Sequence, residues 1–353
     1  MKTSPSERLH HSLFLRACRR EPTERTPIWI MRQAGRYMKE YQEVRSKIGF
    51  LELCKHPDLA AEVSVVAVEK LGVDAAIIFS DILLILEPMG VGLEYEKDGG
   101  PVIRRPVRTG KDIDRLQEVH PDESLDFVYA AIRKARASLS LDIPLIGFGG
   151  APFTLASYLI EGKGSKSFTF TKKLMHDDPG AWHALLNKIV PPLTSYLNRQ
   201  ISEGAQALQL FDSWVGCLKP AEYRKFVLPH SKKLIAGLNP DVPVIHFGTD
   251  TAPLLELMKE AGGTVIGLDW KIDLDEGWRR LGPKVGVQGN LDPTVLLTSP
   301  QEIRDRAKNI LDQAAGRPGH IFNLGHGVLP TTPIDNVIAL VDMVHEMSAR
   351  PSS

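Results

Sequence analysis

The sequence predicts an α/β fold of the (β/α)8 (TIM) barrel type, one domain over residues 1–353, and three observations predict it. Eight short apolar, β-branched-rich runs alternate with segments of helical period. The runs are continuous rather than alternating in polarity, as strands buried on both faces of a parallel sheet require. A polar group stands at the end of nearly every run: Arg32, Asp81, the loop leading to Tyr158, Ser213, His246, Asp269, Asn290 and His326. An open doubly wound sheet would gather its site at one switch point, whereas candidates from strands all round the fold suit a barrel mouth.

The eight runs are 27–31, 75–80, 144–149, 207–212, 243–248, 264–269, 285–289 and 320–324. Residues 1–25 read as an N-terminal extension with a short helix near 12–19. In 58–71, Leu59, Val63, Val66 and Ala67 share a helical face. Asp81–Asp112 is too long for an ordinary connection. Within it, Gly92–Tyr95 and Val102–Arg105 flank Lys97-Asp98-Gly99-Gly100, so a hairpin is inserted after the second strand. Gly150–Phe170 reads as a second insertion, over the mouth. Ser299-Pro300-Gln301-Glu302 carries an N-cap, an N1 proline and the glutamate of a capping box. Ile303, Ala307, Ile310 and Leu311 form the buried stripe that follows. Thr332-Pro333 opens the last helix, with Val337, Leu340, Val341 and Val344 inward, and 350–353 reads as frayed.

Lys+Arg and Asp+Glu both number 43, so the chain is formally neutral. Bulk attraction to nucleic acid or to anionic membrane is not expected, and anion binding must come from local clusters. Three widely spaced cysteines, Cys18, Cys54 and Cys217, fit neither a disulfide framework nor a zinc ribbon and suit a reducing compartment. The N-terminal stretch lacks the apolar core of a signal peptide, and no run is long enough for a membrane span, so a cytoplasmic location is expected.

Met31-Arg32-Gln33-Ala34-Gly35-Arg36-Tyr37 follows the first strand. Arg32 and Arg36 place two guanidinium forks at i, i+4, a shared face if the segment is helical. Gly35 permits close backbone approach. Two forks beside backbone N–H groups suit a ligand with several carboxylates; the bland alternative is surface arginines bridged to Glu40 or Glu43. Asp81, directly after Ile77-Ile78-Phe79-Ser80 and before Ile82, Leu83 and Leu84, is a desolvated carboxylate whose charge is costly unless used. Its alternative is a helix cap or an arginine partner. Ser213 could equally be an N-cap, and Tyr158 core. His326, between two glycines in Asn323-Leu324-Gly325-His326-Gly327, has little packing reason to be an imidazole. Gly147-Phe148-Gly149-Gly150 lacks the third glycine of a dinucleotide fingerprint. Nothing orients Cys217 as a nucleophile, and a buried inert thiol is expected there.

These residues closely resemble the uroporphyrinogen decarboxylase family from about Pro27 to His345. Met31–Tyr37 resembles that family's N-terminal signature, and Gly147-Phe148-Gly149-Gly150-Ala151-Pro152-Phe153-Thr154 its second. Ile78-Phe79-Ser80-Asp81-Ile82-Leu83 and Asn323–Gly327 are further matches. Met38-Lys39-Glu40 departs from the commoner Leu-Pro-Glu. The resemblance implies four decarboxylations that turn the acetates of uroporphyrinogen III into the methyls of coproporphyrinogen III in haem biosynthesis. It implies no metal, no organic cofactor and a homodimer in the cytoplasm. By the same resemblance, Arg32, Gln33 and Arg36 contact substrate carboxylates, Ala34 and Gly35 between them belong to the substrate-binding stretch, and Asp81 faces the pyrrole N–H groups. Tyr158 and Ser213 hold polar groups, and His326 reaches a carboxylate. Asp81, Arg36, Tyr158 and His326 are the catalytic candidates, and the proton donor stays open between Arg36 and a water held by Tyr158 or His326. Two alternatives stand beside this. A corrinoid-linked methyltransferase of the same superfamily would hold zinc through His-x-Cys, where this chain has His246-Phe247-Gly248. A tetrapyrrole carrier would need the arginines but no ionised Asp81.

Overall fold

The computed structural model describes residues 5–96 and 100–350. Its centre is a seven-stranded parallel sheet in the order β1 (Ala76–Ile77), β4 (Leu145–Gly150), β5 (Ala207–Asp212), β6 (Val244–Gly248), β7 (Val265–Gly267), β8 (Gly286–Gln288), β9 (His320–Ile321). Two further strands, β2 (Leu93–Glu96) and β3 (Gly100–Ile103), pair antiparallel as a separate hairpin, with Tyr95 opposite Pro101. Lys97, Asp98 and Gly99 of the expected turn lie outside the described residues, as do 1–4 and 351–353. Arg350, expected to fray, donates its N–H to the Glu24 carbonyl at 2.8 Å.

The sheet curls on itself. Gln288 of β8 donates to Gln209 of β5 at 3.0 Å, although two strands separate them in the sheet. Trp29 donates its indole N–H to Gln288 at 2.9 Å, and Gln209 reaches Met31 Sδ at 3.5 Å. All four side chains are buried. Only a curved sheet, concave toward these residues, brings them together.

The first expected strand, 27–31, is not a ladder strand but an isolated parallel bridge, Ile28 to Phe322. It nevertheless touches both sheet edges. Phe322 N–H donates to the Pro27 carbonyl at 2.8 Å on one side, and Asp74 N–H to the Ile28 carbonyl at 2.8 Å on the other. The reason for the missing ladder is local. Pro27 has no N–H to give. Side chains take the N–H groups of three neighbours: Ile28 donates to Asp74 Oδ2 (2.8 Å), Ile30 to Gln33 Oε1 (3.2 Å) and Met31 to Asn323 Oδ1 (3.0 Å). The other seven runs sit where strands form, trimmed by up to three residues at an end.

Helices cover the convex face. The glycines of β4 that suggested a nucleotide loop serve packing instead. A Cβ at Gly147 would lie 2.5 Å from Gln200 Oε1, and one at Gly149 3.3 Å from Leu193 and Leu197, all on the helix Pro179–Ser202. The segment 150–170 is not an open loop, because the helix Pro152–Glu161 occupies half of it. In the helix Pro300–Ala314, Ser299 Oγ accepts from Glu302 N–H at 3.3 Å, and Ile303, Ala307, Ile310 and Ala314 are buried, with Leu311 at the margin. In Pro57–Leu71, Val63 and Ala67 are buried and Leu59 and Val66 only half so. Among the described residues no helix is long and apolar enough to cross a membrane.

Candidate active site

In a parallel curled sheet every strand ends on the same rim. Asp81 follows β1, Ser213 follows β5, His326 follows β9, and Arg32 follows the closing segment, so the four share one opening. Tyr158 reaches it from the helix after β4. Below the rim the concave face is aromatic: Phe148 and Phe211 meet at 5.5 Å and Phe211 and Phe247 at 6.1 Å between ring centroids.

Arg32 and Arg36 do not share a helical face. The segment 31–38 folds into tight turns, with Gln33 N–H bonded to Ile30 O and Met38 N–H to Gly35 O, both at 2.9 Å. Arg32 has φ 65°, a left-handed value rare for a side-chain-bearing residue. A Cβ at Gly35 would lie 2.8 Å from the Arg32 carbonyl, so the close approach expected of this glycine is real. The bland alternative for the arginines fails. Glu40 pairs with Lys70 at 2.9 Å and Glu43 with Lys39 at 3.8 Å, while Arg32 and Arg36 are exposed and form no ion pair among the described residues. The Gln33 side chain is wholly buried, accepting from Ile30 N–H and donating to the Ala75 carbonyl at 3.2 Å, so its amide ties the segment to the fold.

Asp81 is half-buried, and its Oδ1 accepts the Leu83 N–H at 2.8 Å. Burial pushes its carboxyl above the usual range; the facing Tyr95 hydroxyl, the Leu83 N–H and the Arg32 charge oppose this without cancelling it. Asp81 and Arg32 both act on the Tyr158 phenol, which burial pushes up. The Tyr158 ring stacks on Trp214, with centroids 3.7 Å apart and planes at 29°. His326 lies edge-on to Trp270 at 6.0 Å. Burial first, then the Arg32 charge, depress its pKa, which favours the neutral imidazole. The arrangement is therefore an aromatic-floored cup with the Arg32 fork at its rim and one desolvated carboxylate within, and Arg36, four residues on, is exposed and without an ion pair among the described residues.

The family model described as uroporphyrinogen decarboxylase (URO-D) matches residues 9–347. The chain is 55% identical over 337 residues to the uroporphyrinogen decarboxylase of Carboxydothermus hydrogenoformans, covering 95% of this chain and 96% of that one. It is 54% identical over 339 residues to that of Sorangium cellulosum, covering 96% and 97%. The chain belongs to the uroporphyrinogen decarboxylase family. In fold it is also similar to a methyltransferase from Methanosarcina mazei, with a TM-score of 0.79, 21% identity and coverage of 98% and 99%. At that identity the likeness concerns the fold alone.

Within this uroporphyrinogen decarboxylase fold, three of the polar strand-end residues are structural. His246 is wholly buried on the outer face of β6, away from the mouth. Asp269 accepts from Lys271 N–H (3.1 Å) and Asp250 N–H, and Asn290 donates to the Asp269 and Ile272 carbonyls at 2.8 and 2.7 Å. Cys217 is half-buried, and burial pushes its thiol up to about 11, as an inert thiol requires. The mouth also contains residues that the sequence did not single out: Tyr95, Trp214 and Trp270. Alternation along the hairpin could have turned Tyr95 inward, but nothing in it named Asp81 as the neighbour.

Proposed function

We propose that the cup binds uroporphyrinogen III and that Arg32, Arg36, Asp81, Tyr158, Ser213 and His326 act on it. The chain decarboxylates the four acetate side chains to methyls, giving coproporphyrinogen III. The substrate carries eight carboxylates, and the two unpaired arginine forks, with backbone N–H groups of Ala34 and Gly35 beside them, are suited to bind part of that charge.

Loss of carbon dioxide from a pyrrolic acetate needs an electron sink. Protonation of a ring α-carbon makes the pyrrole cationic. The bond to the carboxylate then breaks, its electron pair forming an exocyclic double bond into the ring. The exocyclic carbon takes a proton and the ring α-proton leaves, so each round consumes one proton and releases one carbon dioxide. Asp81 beside the pyrrole nitrogens stabilises a positive charge present only along this path, which is where binding lowers a barrier. The proton comes from Arg36 or from a water held by Tyr158 or His326.

The observation that carries this reading is the desolvated Asp81 carboxylate in the same cup as Arg32, which forms no ion pair among the described residues. Anaerobic incubation with uroporphyrinogen tests it: the product mass should fall by four carbon dioxides without added metal or cofactor. Unaltered substrate, bound but intact, would favour the carrier. The closing segment 27–31 counts in this reading as an eighth stave, making one (β/α)8 domain of the chain. A homodimer and a cytoplasmic location accompany the proposal, supported by the family resemblance, and sedimentation measures the first.

A further inference from the structure

Behind the rim, between the sheet and its helices, lies a buried carboxylate that the reaction does not touch. Side chains alternate along a strand, and Gln209 of β5 points into the curl, so Asp212 points out of it. Asp212 is wholly buried, a costly place for a charge unless its bonds matter. Its Oδ1 accepts a hydrogen bond from Thr154 Oγ1 at 3.0 Å, and Thr154 is also wholly buried, in the first turn of the helix Pro152–Glu161. The same Thr154 oxygen accepts the Trp214 N–H at 3.3 Å. Among the described residues Asp212 Oδ2 has no donor within hydrogen-bond reach; the His246 ring stands 3.7 Å away on the neighbouring strand.

We propose that Thr154 and Asp212 are positioning residues, a brace that holds Ser213 and the Tyr158–Trp214 stack in working alignment with the substrate. The proposal rests on the reading of Tyr158 and Ser213 given above. A carboxylate draws the hydroxyl proton more strongly than a neutral acceptor would. The Thr154 proton is thereby committed to Asp212, which leaves its lone pair for Trp214. Trp214 stacks on Tyr158, and Tyr158 stands four residues after Thr154 on the same helix, hence on the same face. The contacts form a closed circuit from Thr154 to Trp214 to Tyr158 and back along one helical turn. Ser213 lies between the two braced residues, with its carbonyl further held by the Thr249 hydroxyl. Ala151 N–H on the Phe211 carbonyl, at 2.9 Å, ties the start of the helix to the same strand end.

Thr154→Val keeps the shape and removes both bonds, and Thr154→Ser keeps both. Steady-state kinetics on uroporphyrinogen under anaerobic conditions, with thermal melting of each variant, test the brace. Misplacement of reacting groups by about an ångström costs up to about 100-fold, so kcat/KM of the valine variant should fall by about 10- to 100-fold. The loss should fall mainly on kcat, because Arg32 and Arg36 are untouched. The serine variant should stay within about 3-fold of the parent, since it keeps the hydroxyl. The double variant Thr154→Val, Tyr158→Phe should lose less than the product of the single losses. Should the valine protein fail to fold, Thr154→Cys, a weak donor of similar size, takes its place. Parental kcat/KM in the folded valine or cysteine variant, or a serine variant as impaired as valine, overturns the proposal. Tyr158→Phe and Ser213→Ala are measured alone to separate the two ideas. Normal kinetics in both overturns the reading of the mouth and the brace with it. Impaired kinetics there beside normal kinetics in Thr154→Val overturns the brace alone.

Discussion

Arg32 lies across Gly327. A Cβ built on that glycine would sit 2.5 Å from Arg32 Cδ and 2.8 Å from its Nε. The crowded atoms belong to a flexible side chain, so Gly327→Ala should fold with little change in melting temperature. The arginine must swing away, however, and a displaced fork loses charge-assisted bonds of about 1.5–3 kcal/mol. We expect KM for uroporphyrinogen to rise by about 10-fold or more with kcat less affected. An unchanged KM would place the working position of Arg32 elsewhere.

Arg32→Ala and Arg36→Ala should each weaken substrate binding on the same scale, and lysine should rescue only in part because it lacks the bidentate fork. Neither arginine forms an ion pair among the described residues, so melting temperatures should hold. Kinetics of both alanine variants equal to the parent's would remove the clamp role.

Asp81→Asn separates charge from cap. The Leu83 N–H is held by Oδ1, and asparagine retains an oxygen there, so the turn and the stability should survive. Loss of one preorganised electrostatic group should cost about 10²–10³ in turnover. Asp81→Glu keeps the charge but pushes it toward the ring, so it should bind substrate poorly. Near-normal turnover in the asparagine variant would reduce Asp81 to a cap.

Acid should act on the protein in two windows of stability and one of activity. His320 is wholly buried at the start of β9, and burial depresses its pKa from 6.5 to about 4. The unfolded chain therefore takes up a proton first, so stability falls as pH drops from 6.5 toward 4 and is unaffected above that range. Asp74 acts with the same sign in a lower window. Burial alone would raise it, but His345 at 2.7 Å, Ile28 N–H and Arg25 hold it below 3.8, and its contribution is lost only as pH falls further, through that lowered value. Activity should fail separately, with an acid limb in kcat/KM above 3.8 because the Asp81 carboxyl is raised. Chemical denaturation against pH, repeated on His320→Gln, measures the first window; an unflattened slope in the variant would assign it to another group.

The fold class was legible because burial on both faces leaves a mark in composition: seven apolar runs became strands at their expected places. The first run misled because its N–H groups are taken by Asp74, Gln33 and Asn323; Asp74 and Asn323 stand far along the chain, and contacts at that distance leave no local pattern. The same distance hid Trp214 under Tyr158 and Tyr95 before Asp81. Arg32, Asp81 and His326 reach the rim because each follows a run that ends there, yet His246, Asp269 and Asn290 follow the same pattern and are held within the fold. Gln33 was legible only as a residue of the stretch after the first run; that its amide ties Ile30 to Ala75 follows from hydrogen bonds the sequence does not show.

The side-chain clips on residues 28–31 bear on how accurately substrate is met. Two ladders of interchangeable peptide groups can slide past each other by two residues and find similar bonds again. A carboxylate, an amide oxygen and an asparagine oxygen, each reaching one particular N–H, have no such second solution. The stretch that closes the curl is thereby indexed to a single height along it, and Arg32, the very next residue, inherits that height. Loosening any one clip should register first as a blurred affinity for substrate carboxylates, before the protein as a whole becomes easier to unfold.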